Sequence, residues 1–422
     1  MMQTPYPLER DLGMWYYASN GKGIGGKLRT APEDFQVKEL PLPSHGGSAG
    51  PYLVCLLTKR NWELQHAVKE IAKRLGISHR RIGWAGTKDR NAVTKQFITL
   101  FNVTPEQVGE LKLKDITLKS VGNSNAQLSL GDLSGNRFGI AIRDCSPDQL
   151  AERVESATAA IRNAIPNYFG IQRFGSIRPV THRVGEWILK GDYEQAVMTY
   201  IGMVFPGEPV EIRSIRSGFL ATKDAGEALH RLPSRMGYER SMLQHLHIHP
   251  GDYAGALQQM PPKLLSMFVS AVQSHIFNLA LSRRMEEGHG LAEPVAGDTL
   301  LFANGRTDTV NQANIAAARI HIGRGRCSIA LLMPGKETGG AALDSPCAAI
   351  MGERGITPAQ FESASTFVRT AFDGAYRPIA LKASPEVSIE ETTVRLNFTL
   401  PPGHYATSVC REYMKADPIM MV

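Results

Sequence analysis

The chain has few of the features that would fix a secretory route, a membrane or a metal. Its five cysteines, Cys55, Cys145, Cys327, Cys347 and Cys410, are odd in number and none is spaced as C-x-x-C. That argues against a disulfide framework or a zinc site and for a reducing cytoplasm. No run approaches the roughly 18 apolar residues of a membrane span. Met1 to Arg10 has no apolar core of signal-peptide length. No internal repeat, low-complexity tract or heptad seam stands out, so no protein partner is evident.

What the chain does have is length and positive charge. At 422 residues it has room for two or three domains of about 150 residues each. With 43% hydrophobic and 21% charged residues it reads as an ordinary globular protein. A net charge of +7 and a pI near 9.1 favour polyanionic partners, nucleic acid among them.

The periodicity changes along the chain. Strands are expected at Lys27 to Leu40, Tyr52 to Leu57, Ile82 to Ala85, Val93 to Phe101, Asp115 to Val121 and Phe138 to Ile142. Helices are expected at Glu63 to Leu75, where Gly76 supplies a stop, and at Pro147 to Ala164. Pro43 to Pro51 is a loop rich in Gly, Ser and Pro. Past Pro166 come long helical stretches, Arg183 to Tyr200 and Lys263 to Glu287, then glycine-rich strand-and-turn sequence over 295–345. Strands return at Pro378 to Leu381 and Thr393 to Leu400, and Ala406 to Lys415 is helical. The expectation is an α+β fold with a mixed or antiparallel sheet, split by an insertion: 1–166 with 376–422 form one domain, and 167–375 form an inserted α+β domain. Gly21-Lys22-Gly23-Ile24-Gly25-Gly26 satisfies G-x-G-x-x-G, but no hydrophobic strand precedes it, so it reads as a flexible loop and not a dinucleotide site.

The most informative stretch is Gly86-Thr87-Lys88-Asp89-Arg90-Asn91-Ala92-Val93-Thr94-Lys95-Gln96. Asp89 stands between two cations after a small-residue turn. It can be a turn cap or surface ion pair, a metal ligand, or a nucleophile. The metal reading lacks companions, since no Asp, Glu or His clusters nearby in sequence. If the backbone is extended, Lys88 and Arg90 leave on the face opposite Asp89, which suits them to phosphate contacts and leaves its basic partner to come from elsewhere. Polar groups also stand beside aromatics at Asn136-Arg137-Phe138, at Gln172-Arg173-Phe174 and near Arg411. Such groups can stack on bases or bind phosphate.

Taken together and in order, these segments resemble the TruD family of tRNA pseudouridine synthases. The resemblance rests on Lys27 with Pro32-Glu33-Asp34-Phe35-Gln36-Val37-Lys38-Glu39, on the Asp89 stretch, and on Gly135-Asn136-Arg137-Phe138. It extends to Pro166–Gly175, Gln273-Ser274-His275-Ile276-Phe277-Asn278 and Ser408-Val409-Cys410-Arg411-Glu412. Where the family often has Tyr-Leu, this chain has His275-Ile276. The resemblance implies a pseudouridine-synthase catalytic domain carrying an inserted TRUD domain, Asp89 as catalytic aspartate, and Asn136 and Phe138 framing the uracil. It also implies action on tRNA at the uridine in position thirteen of the D-arm, without a cofactor. Lys88, Arg90 and Arg173 are then expected on phosphates, and Arg411 as the cation that keeps Asp89 ionised. Gly305-Arg306-Thr307-Asp308 resembles the catalytic motif of a different synthase family, TruA, but reads as a turn. The rivals to an isomerase are an inactive RNA-binding or RNA-chaperone protein, and a nuclease that would need clustered metal ligands.

Overall fold

The computed structural model of the chain describes residues 1–42, 50–338 and 345–421. The loop expected at Pro43 to Pro51 lies outside them except for its last two residues. The fold is α+β and forms two compact units, Ala18–Ile165 with Lys382–Val422, and Met1–Tyr17 with Pro166–Leu381.

The first unit is built on a nine-stranded mixed sheet. Its strands are β1 (Gly25–Lys27), β2 (Phe35–Pro41), β3 (Tyr52–Arg60), β4 (Ile82–Trp84), β5 (Val93–Phe101), β6 (Ile116–Ser124), β7 (Leu133–Cys145), β8 (Glu386–Glu390) and β9 (Thr393–Leu400). They lie in the order β8-β9-β7-β2-β5-β3-β6, with β1 beside β7 and β4 beside β5. Among the described residues, β2 and β5 pair in parallel and the other pairings of this sheet are antiparallel.

Alternation decides which way the sheet faces. In β2, Phe35, Val37 and Glu39 are buried while Gln36 and Lys38 are exposed. In β9, Val394, Leu396, Phe398 and Leu400 are buried between exposed neighbours. One face therefore carries the core and the other meets solvent. Helix α1 (Leu64–Arg74) covers part of the core face. Its Leu64, Ala67, Val68, Ile71 and Ala72 form one cluster with Leu53, Cys55 and Leu57 of β3 and Ile98 and Leu100 of β5. Helices α2 (Leu150–Asn163) and α3 (Ala406–Met414) pack on each other, with the Thr158 and Tyr413 hydroxyls 2.7 Å apart. Two of the four glycines of Asn20–Gly26, Gly23 and Gly26, serve close approach of the backbone to neighbouring segments. A Cβ on Gly23 would stand 2.1 Å from the Met414 carbonyl oxygen, and Lys415 Nζ donates to the carbonyls of Ser19 and Gly21.

The second unit is mostly helical, with a small sheet in the order Thr307–Thr309, Thr299–Phe302, Cys327–Met333, Ala375–Pro378. The single helix expected from Arg183 to Tyr200 breaks at Gly191 (φ 72°), and Asp192 caps the next helix by accepting from the Gln195 amide. The long helix Pro262–Glu286 has an 18-residue window of mean hydropathy 1.5, long and apolar enough by count to cross a membrane. Ser274, His275, Asn278 and Ser282 interrupt its apolar run. In the fold, 67% of that window is buried inside the protein.

The same polar residues correct the expected domain boundaries. His275 Nε2 donates to the Asp11 carbonyl at 2.9 Å, Asn278 Nδ2 to that of Leu12 at 3.0 Å, and Ser282 Oγ to that of Gly13 at 2.6 Å. Burial pushes the His275 imidazole down to about 4, so it is neutral at pH 7. Residues 1–17 thus join the helical unit and not the sheet unit expected from 1–166. Residues 376–381 also move to it, because Ala375–Pro378 pairs with Cys327–Met333.

Candidate active site

Asp89 stands in the connection between β4 and β5, and three buried side chains from adjacent strands hold that connection in place. Glu39 of β2 accepts from Lys88 Nζ at 2.5 Å and from the Phe97 amide at 3.1 Å. Gln96 of β5 donates through Nε2 to the Gly86 carbonyl at 3.0 Å. Lys59 of β3 donates through Nζ to the carbonyls of Asp89, at 2.9 Å, and Trp62, at 2.7 Å. All three sit at inward positions of alternating strands and are at most 1% exposed. Buried polar groups of this kind are costly to leave without partners, so the loop is fixed wherever these bonds can form. Burial pushes the Lys59 ammonium down to about 8, against the attraction of Asp89 and Glu63.

The carboxylate itself is 46% exposed, and its Oδ2 accepts from Arg29 Nη2 at 3.0 Å. The Arg29 side chain is only 3% exposed. Its guanidinium lies 4.1 Å above the centre of the Phe35 ring, and Nη1 donates to the Met421 carbonyl at 2.8 Å. The Arg29 backbone is left-handed, with φ 56°, a conformation disfavoured for a residue with a Cβ. The bond from the Leu28 amide to the Met420 carbonyl pins the chain just before it.

Below Arg29 runs an aromatic series. Phe35 meets Phe138 edge-on at 6.4 Å, and Phe138 stacks on Phe398 at 5.5 Å. Asn136 shares the inward face of β7 with Phe138 and lies opposite Glu39 in register. Its buried Oδ1 has no hydrogen-bond partner, so the site holds an acceptor ready for an N–H donor.

Within the sheet unit, Asp89 is linked through Arg29 and Phe35 to Phe138, and Asn136 lies in register with Glu39, which holds Lys88. Lys88 departs from the phosphate role expected of it. It turns inward, 8% exposed, and pairs with Glu39. Arg90 is exposed. Arg411 is buried in α3, and Arg29 pairs with Asp89. Arg173 belongs to the helical unit, where its Nε donates to Ser274 Oγ at 3.0 Å. Asp308 lies in that unit too, on the exposed strand Thr307–Thr309. Among the described residues, no group of three or more His, Cys, Asp or Glu is placed to hold a metal ion.

Sequence reasoning passes over Arg29, Lys59 and Gln96 as site residues, and meets Glu39 only as the end of the N-terminal motif. A signal exists for three of them. Glu39 follows Phe35 and Val37, Lys59 follows Leu53, Cys55 and Leu57, and Gln96 precedes Ile98 and Leu100, so each puts a polar group on a core face. Arg29 carries no such signal. The rest of the N-terminal motif is structural. Asp34 accepts from the Ala31 amide and pairs with Arg143, and Glu33 pairs with Arg60.

The chain is similar to known proteins over nearly its whole length. The family profile described as tRNA pseudouridine synthase D (TruD) matches residues 11–413. A protein of Methanosarcina acetivorans named a probable tRNA pseudouridine synthase D is 38% identical, over 100% of this chain and 99% of its own. One of Pyrococcus furiosus with the same name is 37% identical over 94% and 98%. The crystal structure of the TruD protein from Methanosarcina mazei is similar at a TM-score of 0.81, with 36% identity and full coverage of both chains.

Proposed function

The chain belongs to the TruD family of tRNA pseudouridine synthases, and from the surroundings of Asp89 we propose that Asp89 is its catalytic carboxylate and the uridine at position thirteen of tRNA its target. As a member it is an isomerase. The N-glycosidic bond of the uridine breaks, the base turns, ribose C1′ bonds to uracil C5, and the C5 proton is lost while N1 gains one. The carboxylate can attack C1′ or C6, or take a ribose proton. Each route needs it ionised and open to the nucleotide. Arg29 pairs with the carboxylate at 3.0 Å, and the half-exposed side chain leaves it open to the nucleotide.

The observation that carries this reading is the held loop. Lys59, Glu39 and Gln96 fix the backbone around an aspartate whose own side chain faces outward. A turn cap or a surface ion pair has no need of three buried anchors. Reaching ribose and base together requires the nucleotide to leave its stack. Phe138 then offers an apolar surface to the uracil, and Asn136 Oδ1 an acceptor for its N3–H. In this reading the sheet unit is the catalytic domain and the helical unit the TRUD domain. Arg90 contacts phosphate, and Arg173 does so from the helical unit. The five cysteines are all free and buried, which suits a reducing cytoplasm.

The test is to treat unmodified tRNA with the protein, derivatise pseudouridine with a carbodiimide, and map the adducts by primer extension. A single stop reporting position thirteen is expected. A stop elsewhere would remove the positional assignment while leaving Asp89 in place.

A further inference from the structure

The face of the sheet away from the Asp89 loop carries a row of charge. Lys38 of β2 stands directly beside Arg137 of β7 on one side and Lys95 of β5 on the other. The row runs on to Thr58 and Thr117 beyond Lys95, and to Thr399 beyond Arg137. All three cations are exposed. Like charges directly opposed across strands destabilise a sheet, yet among the described residues no carboxylate pairs with any of the three. The margins of the same face are treated differently, since Arg60 pairs with Glu33 and Arg395 with Glu390. The positions flanking the row, Asn397, Gly139 and Gln36 on one side and Gly135 and Leu40 on the other, add no negative charge. A shallow cavity of about 170 Å³ opens there, lined by Gln36, Lys38, Lys95, Arg137 and Asn397, with Val37, Val93, Phe138 and Gly139 completing its lining.

We propose that this open face binds the ribose–phosphate backbone of tRNA, at a segment away from the target uridine, through Lys38, Lys95 and Arg137. Neighbouring residues of a strand point to opposite faces. Lys38 is therefore on the reverse of the sheet from Glu39, which anchors the catalytic loop. Strand spacing of about 4.8 Å makes the row about 10 Å long, and one strand of a duplex carries a phosphate every ~3.4 Å of axis, so two or three phosphates fit. The amides of Gln36 and Asn397 and the hydroxyls of Thr58 and Thr399 offer partners for ribose 2′-OH groups. The proposal rests on tRNA being the substrate of the family.

The test compares the native protein, the triple variant Lys38→Gln/Lys95→Gln/Arg137→Gln, and a charge-matched control, Lys69→Gln/Lys73→Gln/Lys112→Gln, whose lysines are exposed elsewhere on the same unit. Full-length tRNA binding is measured from about 50 to 200 mM salt, where each phosphate contact contributes about 0.7–0.9 to the slope of log affinity against log salt. The sheet-face variant is expected to lose about 2 to 3 from that slope. Its KM for full-length tRNA should rise, while kcat at saturation stays native and a short stem-loop bearing the target uridine is turned over as before. The control should keep the native slope. An unchanged slope and KM in the sheet-face variant would overturn the proposal, as would an equal loss in both triples. Binding slopes are read without turnover, so a native protein that binds tRNA but leaves it unmodified would fail the isomerase reading and not this one.

Discussion

Replacing Lys88 by methionine separates the inward role seen in the structure from a phosphate contact. Lys88 Nζ lies 2.5 Å from Glu39 Oε2, with the two side chains 6% and 1% exposed. Methionine has a similar length and no charge, so Glu39 would keep only the Phe97 amide as a donor. Removing one partner of a buried ion pair costs about 3–5 kcal/mol, mainly because the other charge is stranded. For a domain of about 150–250 residues, each kcal/mol moves the midpoint by roughly 2–4 °C, so a loss of roughly 6–20 °C is expected by calorimetry. Adding Glu39→Gln removes the stranded charge and should restore more than half of the loss. It should not restore turnover, because the loop still lacks this anchor. The salt slope of tRNA binding should stay native in Lys88→Met, whereas Arg90→Gln should lower it by about 0.7–0.9 with little effect on stability. A Lys88→Met protein with native melting and a reduced slope would refute the reasoning.

Arg29→Met removes the cation on Asp89 and should lower kcat/KM by about 10²–10³, the scale of losing one electrostatic partner in an active site. Single-turnover assays check this, and Arg29→Lys should recover part of the loss. Lys59 makes a pH-dependent contribution to stability. Its folded-state value is about 8 and its ordinary value 10.5, so between these the unfolded chain holds the extra proton and stability rises with pH. Urea unfolding of native protein against Lys59→Met should show this rise only in the native protein. Asn136→Ala should raise KM for tRNA less than it lowers kcat, since the orphan Oδ1 is expected to engage the uracil only once the base has left its stack. Steady-state kinetics decide this, and a pure KM effect would contradict it.

Much of the sheet unit is legible from alternation. Val93 to Phe101 and Thr393 to Leu400 match the observed strands at both ends, because one face of each is buried and the pattern has nothing to compete with. The helix at Leu64–Arg74 is equally plain. The domain boundary is not, because residues 1–17 are claimed by polar bonds to one long helix, and hydrogen-bond partners far apart in sequence leave no periodic trace. The site divides the same way. Asp89, Asn136 and Phe138 are marked by composition and by resemblance. The direction of Lys88 is not, because the loop backbone is set by anchors on three strands. Arg29 is invisible for a similar reason. It reaches Asp89, 60 residues on in the chain, from a left-handed backbone position tied to the C-terminal segment.

The most direct test of the central claim is tritium release from tRNA carrying uridine tritiated at C5. Bond formation at C5 expels that label. The native protein should release it, and Asp89→Asn should bind the same tRNA with native affinity and release none. Release by Asp89→Asn at the native rate would remove Asp89 from the chemistry and contradict the account.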